Sequence, residues 1–235
     1  MELSYHARNH LFVLKMTSFK FYFWFAVFVE SFPIVPIFLA FKKWKVLPVI
    51  IKFFIGFLAA DLLLNLVGDY FYYLQRHNLF LNYLYSLFQS VFILLAFWSF
   101  VKRKAEQLLI LSLLLLNIVL LIIDFLFISK IGSNYISGFY INLVICFVSV
   151  YYFFKGFVNT KYQKKIPNDF FLTLSLILAL QFFIKTIDIF LGKYLMETQV
   201  NAFLWMQVRN VYSYFMLFSL IIYTYVLYNF RTNET

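Results

Sequence analysis

Seven apolar runs, each long enough to cross a bilayer, constrain this chain more than any other feature. A transmembrane helix needs about 20 mostly apolar residues, and the stretches 20–41, 47–72, 79–101, 107–128, 135–156, 168–191 and 203–228 each meet that requirement. The links between them are short, which favours antiparallel neighbours in one compact bundle over separate domains. Hydrophobic residues make up 64% of the 235, and charged residues only 13%. A globule of this size has too little interior to hide so much apolar surface, so the bilayer must act as its solvent. The expected fold class is therefore an all-α membrane protein: one domain over 1–235, built as a bundle of seven transmembrane helices.

Orientation follows from the links, because cytoplasmic loops carry an excess of Lys and Arg. One side holds Lys42, Lys43, Lys45, Lys52, Lys102, Arg103, Lys104, Lys155, Lys161, Lys164, Lys165 and Arg231. The other holds Arg8, Lys15, Lys20, Arg76, Lys130 and Lys193. The excess predicts N-out, C-in, with the chain in the inner (cytoplasmic) membrane. The formal charge of +10 then acts as a topology signal and an attraction to anionic headgroups, and no nucleic-acid partner is expected. Residues 1–20 lack an apolar core and a small-residue cleavage site, so the first span is expected to serve as an uncleaved insertion signal. Aromatic residues reach 24%; Phe suits lipid-facing surfaces, while Tyr and Trp are expected at the headgroup level.

Polar residues inside apolar runs are costly and tend to face a bundle interior or a wet cavity. Glu30 lies mid-way along the first span, followed by Pro33 and Pro36, which free backbone carbonyls and kink the helix. Asp61, Asn65 and Asp69 recur at i, i+4 and i+8 on the second, and so share one helical face. Asn82, Ser86 and Gln89 repeat that pattern on the third. Asn117 and Asp124 are seven apart on the fourth, Gln181, Lys185 and Asp188 share a face of the sixth, and Arg209 opens the seventh. On the N-out orientation, Asp69, Asn82, Asp124, Lys185, Asp188 and Arg209 fall in the outer half, with Glu30, Asp61 and Gln89 near the midplane. The inner half is left almost without buried charge. The expected ligand or proton pocket comprises Glu30, Asp61, Asn65, Asp69, Gln89, Asp124, Gln181, Lys185, Asp188 and Arg209. The same residues also serve as helix-to-helix hydrogen-bonding glue in a purely structural reading, and Lys185 with Asp188 fits an intrahelical pair.

Other chemistries find no pattern. The last span, 203–228, contains no lysine for a Schiff base, so retinal is not expected. Cys146 is the single cysteine, His6 and His10 lack a zinc-protease Glu between them, and no glycine-rich phosphate loop occurs. No catalytic group, metal or cofactor is expected, and the chain is not read as an enzyme. Pro48 and Pro167 each precede an Asp (Asp69, Asp188) by 21 residues, and Asn78 and Asn201 each precede a Phe and a Leu. This is the pattern of a weak 3+1+3 repeat. Chance similarity between Phe- and Leu-rich helices accounts for it equally well.

The acid-then-proline first span (Glu30, Pro33, Pro36), the Asp of the second (Asp61) and the stretch from Asn78 to Gln89 resemble small seven-helix integral membrane proteins of Bacteroidota. That group has no established activity, so the resemblance implies an architecture only. Seven spans with an outside N-terminus and a 3+1+3 pattern are also similar to SWEET and PQ-loop transporters, although the Pro-Gln dipeptide is missing here. Three functions follow as expectations: a receptor-like sensory subunit acting through a separate partner, a secondary transporter of a small solute or protons, and an accessory structural subunit.

Overall fold

The structure, a computed structural model, describes residues 24–25, 27–74, 80–128, 135–158, 168–197 and 202–229. Among these are seven α-helices and no strand: α1 (Ile34–Lys42), α2 (Val49–Tyr73), α3 (Leu81–Phe100), α4 (Lys104–Ile123), α5 (Tyr135–Val158), α6 (Asn168–Glu197) and α7 (Ala202–Asn229). Six of them, α2 to α7, contain a stretch long and apolar enough to cross a membrane. The links expected at 75–78 and 131–134 lie outside the described residues, as does 159–167 of the link expected at 157–167, whose first two residues belong to α5.

The first expected span, 20–41, is not one helix. Helical residues 27–31 end in a turn at Phe32 and Pro33, and α1 begins at Ile34. Pro33 has no N–H to give to Val29, and its ring crowds that carbonyl; the Phe32 N–H bonds to Val29 instead, at 3.2 Å. Pro36 falls in the first turn of α1, where its missing donor would have had no helical partner. The sixth helix is longer than the expected span 168–191: Gly192 and Lys193, just beyond it, lie within α6. Apolar length reports only the hydrocarbon core, and a helix continues into the headgroup layer without needing apolar residues.

Each helix packs on its neighbours in sequence, α7 returns to α1, and α3 also reaches α5. The closest pairings are α5 with α6 and α2 with α3. Gly56 allows the latter: an added Cβ would come within 2.7 Å of the Phe92 ring. Such small residues let helices approach where lipid supplies no hydrophobic drive. Outward faces are apolar, as Leu108, Leu115, Phe147, Phe154, Phe183 and Phe218 illustrate.

The interior is divided. Toward the end that bears Lys42–Lys45 and Lys102–Lys104, here termed the basic end, lies an apolar core of Ile51, Phe54, Leu58, Ile93, Phe97, Ile145, Leu178, Phe182 and Leu220. Phe54 stands edge-on to Tyr223 at 4.5 Å. Beyond this core the buried carboxylate and amide groups begin, at Asp61 on α2, Gln89 on α3 and Gln181 on α6, while serines such as Ser149 and Ser175 are buried within the apolar part. The basic end itself departs from the expectation of an inner half almost without buried charge. Lys155 of α5 donates to both carboxylate oxygens of Glu106 of α4, at 2.7 and 2.5 Å, and the Tyr152 hydroxyl adds a third contact at 3.1 Å. Both charged side chains are mostly enclosed, at 16% and 14% exposure. In the sequence, Glu106 hides beside a basic link and Lys155 counts as a topology charge.

Candidate functional site: a polar cluster shared by five helices

Asp61 is the first buried polar residue of α2, twelve positions after Val49. Its carboxylate is in hydrogen-bonding contact with Asn65, one turn on, and with the hydroxyl of Tyr85 from α3. The face of the same Tyr85 ring lies 3.7 Å from the ammonium of Lys185 on α6. Acid and ammonium thus flank one tyrosine, the first at its hydroxyl and the second at its π-face, an arrangement favourable to a desolvated cation. Lys185 also donates to Gln89 Oε1 at 2.8 Å, and Gln89 Nε2 donates to Asn142 Oδ1 of α5 at 2.7 Å. Asp61 and Asp188 both lie within electrostatic reach of the ammonium.

A second branch runs along α7. Tyr85 is in hydrogen-bonding contact with Tyr212, and Tyr212 with Gln181. Gln181 Nε2 donates to Met216 Sδ at 2.9 Å, and the Tyr223 hydroxyl donates to Gln181 Oε1 at 3.3 Å. Tyr212, Met216 and Tyr223 sit at i, i+4 and i+11, one stripe of α7. The result is a connected chain from Asn65 through Asp61, Tyr85, Tyr212 and Gln181 to Tyr223. Hydroxyls and amides that both donate and accept can re-form such a chain in either direction, so the arrangement suits proton exchange or the reading of a small polar ligand. No protein-family model matches the chain, and no curated protein or solved structure does either. Any functional reading therefore rests on this geometry.

The structure brings together Asp61, Asn65, Gln89, Gln181 and Lys185 of the residues expected at the pocket. Glu30 and Asp188 are half-buried at its margin, each within electrostatic reach of Tyr212. Asp124 stands elsewhere. It opens a π-helical turn, Asp124–Ile128, at the end of α4, and its Oδ2 accepts the backbone N–H and the hydroxyl of Ser137 at 3.1 and 2.8 Å. Ser137 is the third residue of α5, so Asp124 caps the neighbouring helix. The side chains of Asp69 and Arg209 lie outside the described residues. Asn82, on the expected face of α3, is exposed, whereas Ser86 and Gln89 are buried.

Tyr85, Asn142, Tyr212, Met216 and Tyr223 are members that sequence reasoning passed over. The tyrosines were assigned to the headgroup layer on residue type alone. The available signal was spacing: Tyr85 precedes Gln89 by four, and Tyr212, Ser219 and Tyr223 form a polar stripe on α7. Among the described residues no group of three His, Cys, Asp or Glu side chains is placed to hold a metal.

Proposed function

We propose that this chain is a sensory or signalling subunit of the inner membrane, oriented N-out and C-in, with the first segment as a seventh crossing. Its polar cluster faces outward, binds a small ligand or protons, and acts through a separate partner at the basic, cytoplasmic end. One observation carries the reading: the charged members of the cluster, Asp61 and Lys185, lie beyond the packed apolar core that fills the bundle toward the basic end, and the cluster enters that core through the Tyr223 hydroxyl. A sensor needs access from one side only, and a transporter needs it from both.

The test uses protons as the probe. In a Cys146→Ser background, a fluorophore at Tyr228→Cys reports the basic end of α7 in proteoliposomes while the outer pH is varied. The expected result is a pH-dependent emission shift that Asp61→Asn abolishes and Phe218→Leu, on the lipid-facing side, leaves intact. A signal unaffected by Asp61→Asn would remove the cluster from sensing. Proton or solute flux across the same vesicles, lost in Asp61→Asn, would establish the transporter instead.

A further inference from the structure

We propose that the α1–α2 corner is a binding site for the headgroup of an anionic glycerophospholipid. The sequence from Ser31 to Ala60 contains four lysines and no acid. Lys43 is consumed internally, donating to the carbonyls of Leu227 and Tyr228 at 3.1 and 2.7 Å. Two of the other three amines lie over aromatic rings. Lys42 Nζ lies 4.6 Å from the Phe38 ring centroid and Lys52 Nζ 5.6 Å from that of Trp44, while Phe41 stacks on Trp44 at 5.7 Å. Lys45 follows Trp44 directly in the sequence and is exposed. Among the described residues, none of the three amines has a carboxylate within 4.0 Å.

The apolar part of the site selects a lipid over a soluble anion or an acidic protein. Ile34, Phe38 and Phe41 recur at i, i+4 and i+7 along α1 and are 59%, 59% and 65% exposed, so they form one continuous apolar track. The track ends at Lys42 and at Trp44, the level where an indole is half wet. A phosphodiester lodged among the three amines would lay its acyl chain along that track. Lys52, on the first turn of α2, reaches back toward the same plane by snorkelling. The site belongs to the bilayer leaflet at the basic end whichever way the protein is inserted, so it stands independently of the proposed function.

Brominated lipids test this with the full-length chain in phosphatidylcholine vesicles. Emission of Trp44, isolated by subtraction of a Trp44→Phe variant, is measured with brominated phosphatidylglycerol or brominated phosphatidylcholine at equal mole fraction. The phosphatidylglycerol is expected to associate several-fold more tightly, since each lysine near an anionic surface contributes up to about fivefold. In K42Q/K45Q/K52Q that preference is expected to vanish while quenching by brominated phosphatidylcholine persists, which confirms that the corner still meets the bilayer. If the triple variant does not fold, K45Q and K52Q are compared singly and each should lose part of the preference. Equal quenching by the two lipids in the native chain, or a preference that survives the substitutions, overturns the proposal. So does competition by millimolar glycerol phosphate, which would mark a site for soluble anions.

Discussion

At the residue scale the interior contains both well-paired and unpaired polar groups, and they carry opposite expectations. Asn117 on α4 is completely buried, and its amide nitrogen and oxygen have no hydrogen-bond partner among the described residues. An unsatisfied buried amide costs about 1–3 kcal/mol. Asn117→Leu, which keeps the number and branching of the side-chain heavy atoms, is therefore expected to raise stability by about 1 kcal/mol, read as a higher melting temperature in detergent; an unchanged or lower value would show that the amide has a partner in the membrane or that the bulkier methyl groups do not fit. Asp61, held by Asn65 and Tyr85, should behave in the opposite way on replacement by Leu. The polarity of such positions was legible in the sequence, and the helical spacing marked Asp61, Asn65, Gln89, Gln181 and Lys185, which the structure places in one cluster. Their partners were not legible, because a tyrosine at the membrane interface and a tyrosine in the bundle interior are the same letter. Only the phase of Tyr212 relative to Met216 and Tyr223 distinguishes them.

Elements show where local rules and tertiary contacts meet. Apolar run length reports a physical thickness directly, which is why six helices appear close to where they are expected. The break at Pro33 was legible as a kink but not as a division of the first span, since that depends on whether neighbouring contacts re-satisfy the freed carbonyl. The cap that Asp124 provides to α5 was illegible: acceptor and donor are thirteen residues apart, on either side of a link. The π-helical turn widens the backbone at Asp124, and such turns often re-aim a side chain. Removing the acceptor with Asp124→Ala should destabilise the protein by about 1–2 kcal/mol. In hydrogen exchange the effect should concentrate in the first turn of α5. Faster exchange spread evenly over the bundle would argue that Asp124 supports packing rather than the helix end.

For the whole molecule, the Asp61–Lys185 cluster and the enclosed Lys155–Glu106 pair stand at opposite ends of an apolar core that finishes in a basic rim, and the proposed orientation follows from the charges of that rim. Fusions to the C-terminus give a direct check: a green fluorescent protein domain, which matures in the cytoplasm, should be bright, and an alkaline phosphatase domain, which needs the periplasm, should be inactive. The reverse pattern would place the cluster on the cytoplasmic side and remove the sensory reading as stated. One element connects the two ends. Helix α7, about 42 Å long at 1.5 Å per residue, meets the polar cluster at Tyr212 and Met216, and its last carbonyls are held by Lys43. It is therefore a rod held at mid-length and again near its basic end. An axial slip of a single residue, about 1.5 Å with a 100° rotation, carries the Tyr212 stripe off Gln181 and pulls Leu227 from its lysine together, so the two ends of the bundle have little mechanical play between them.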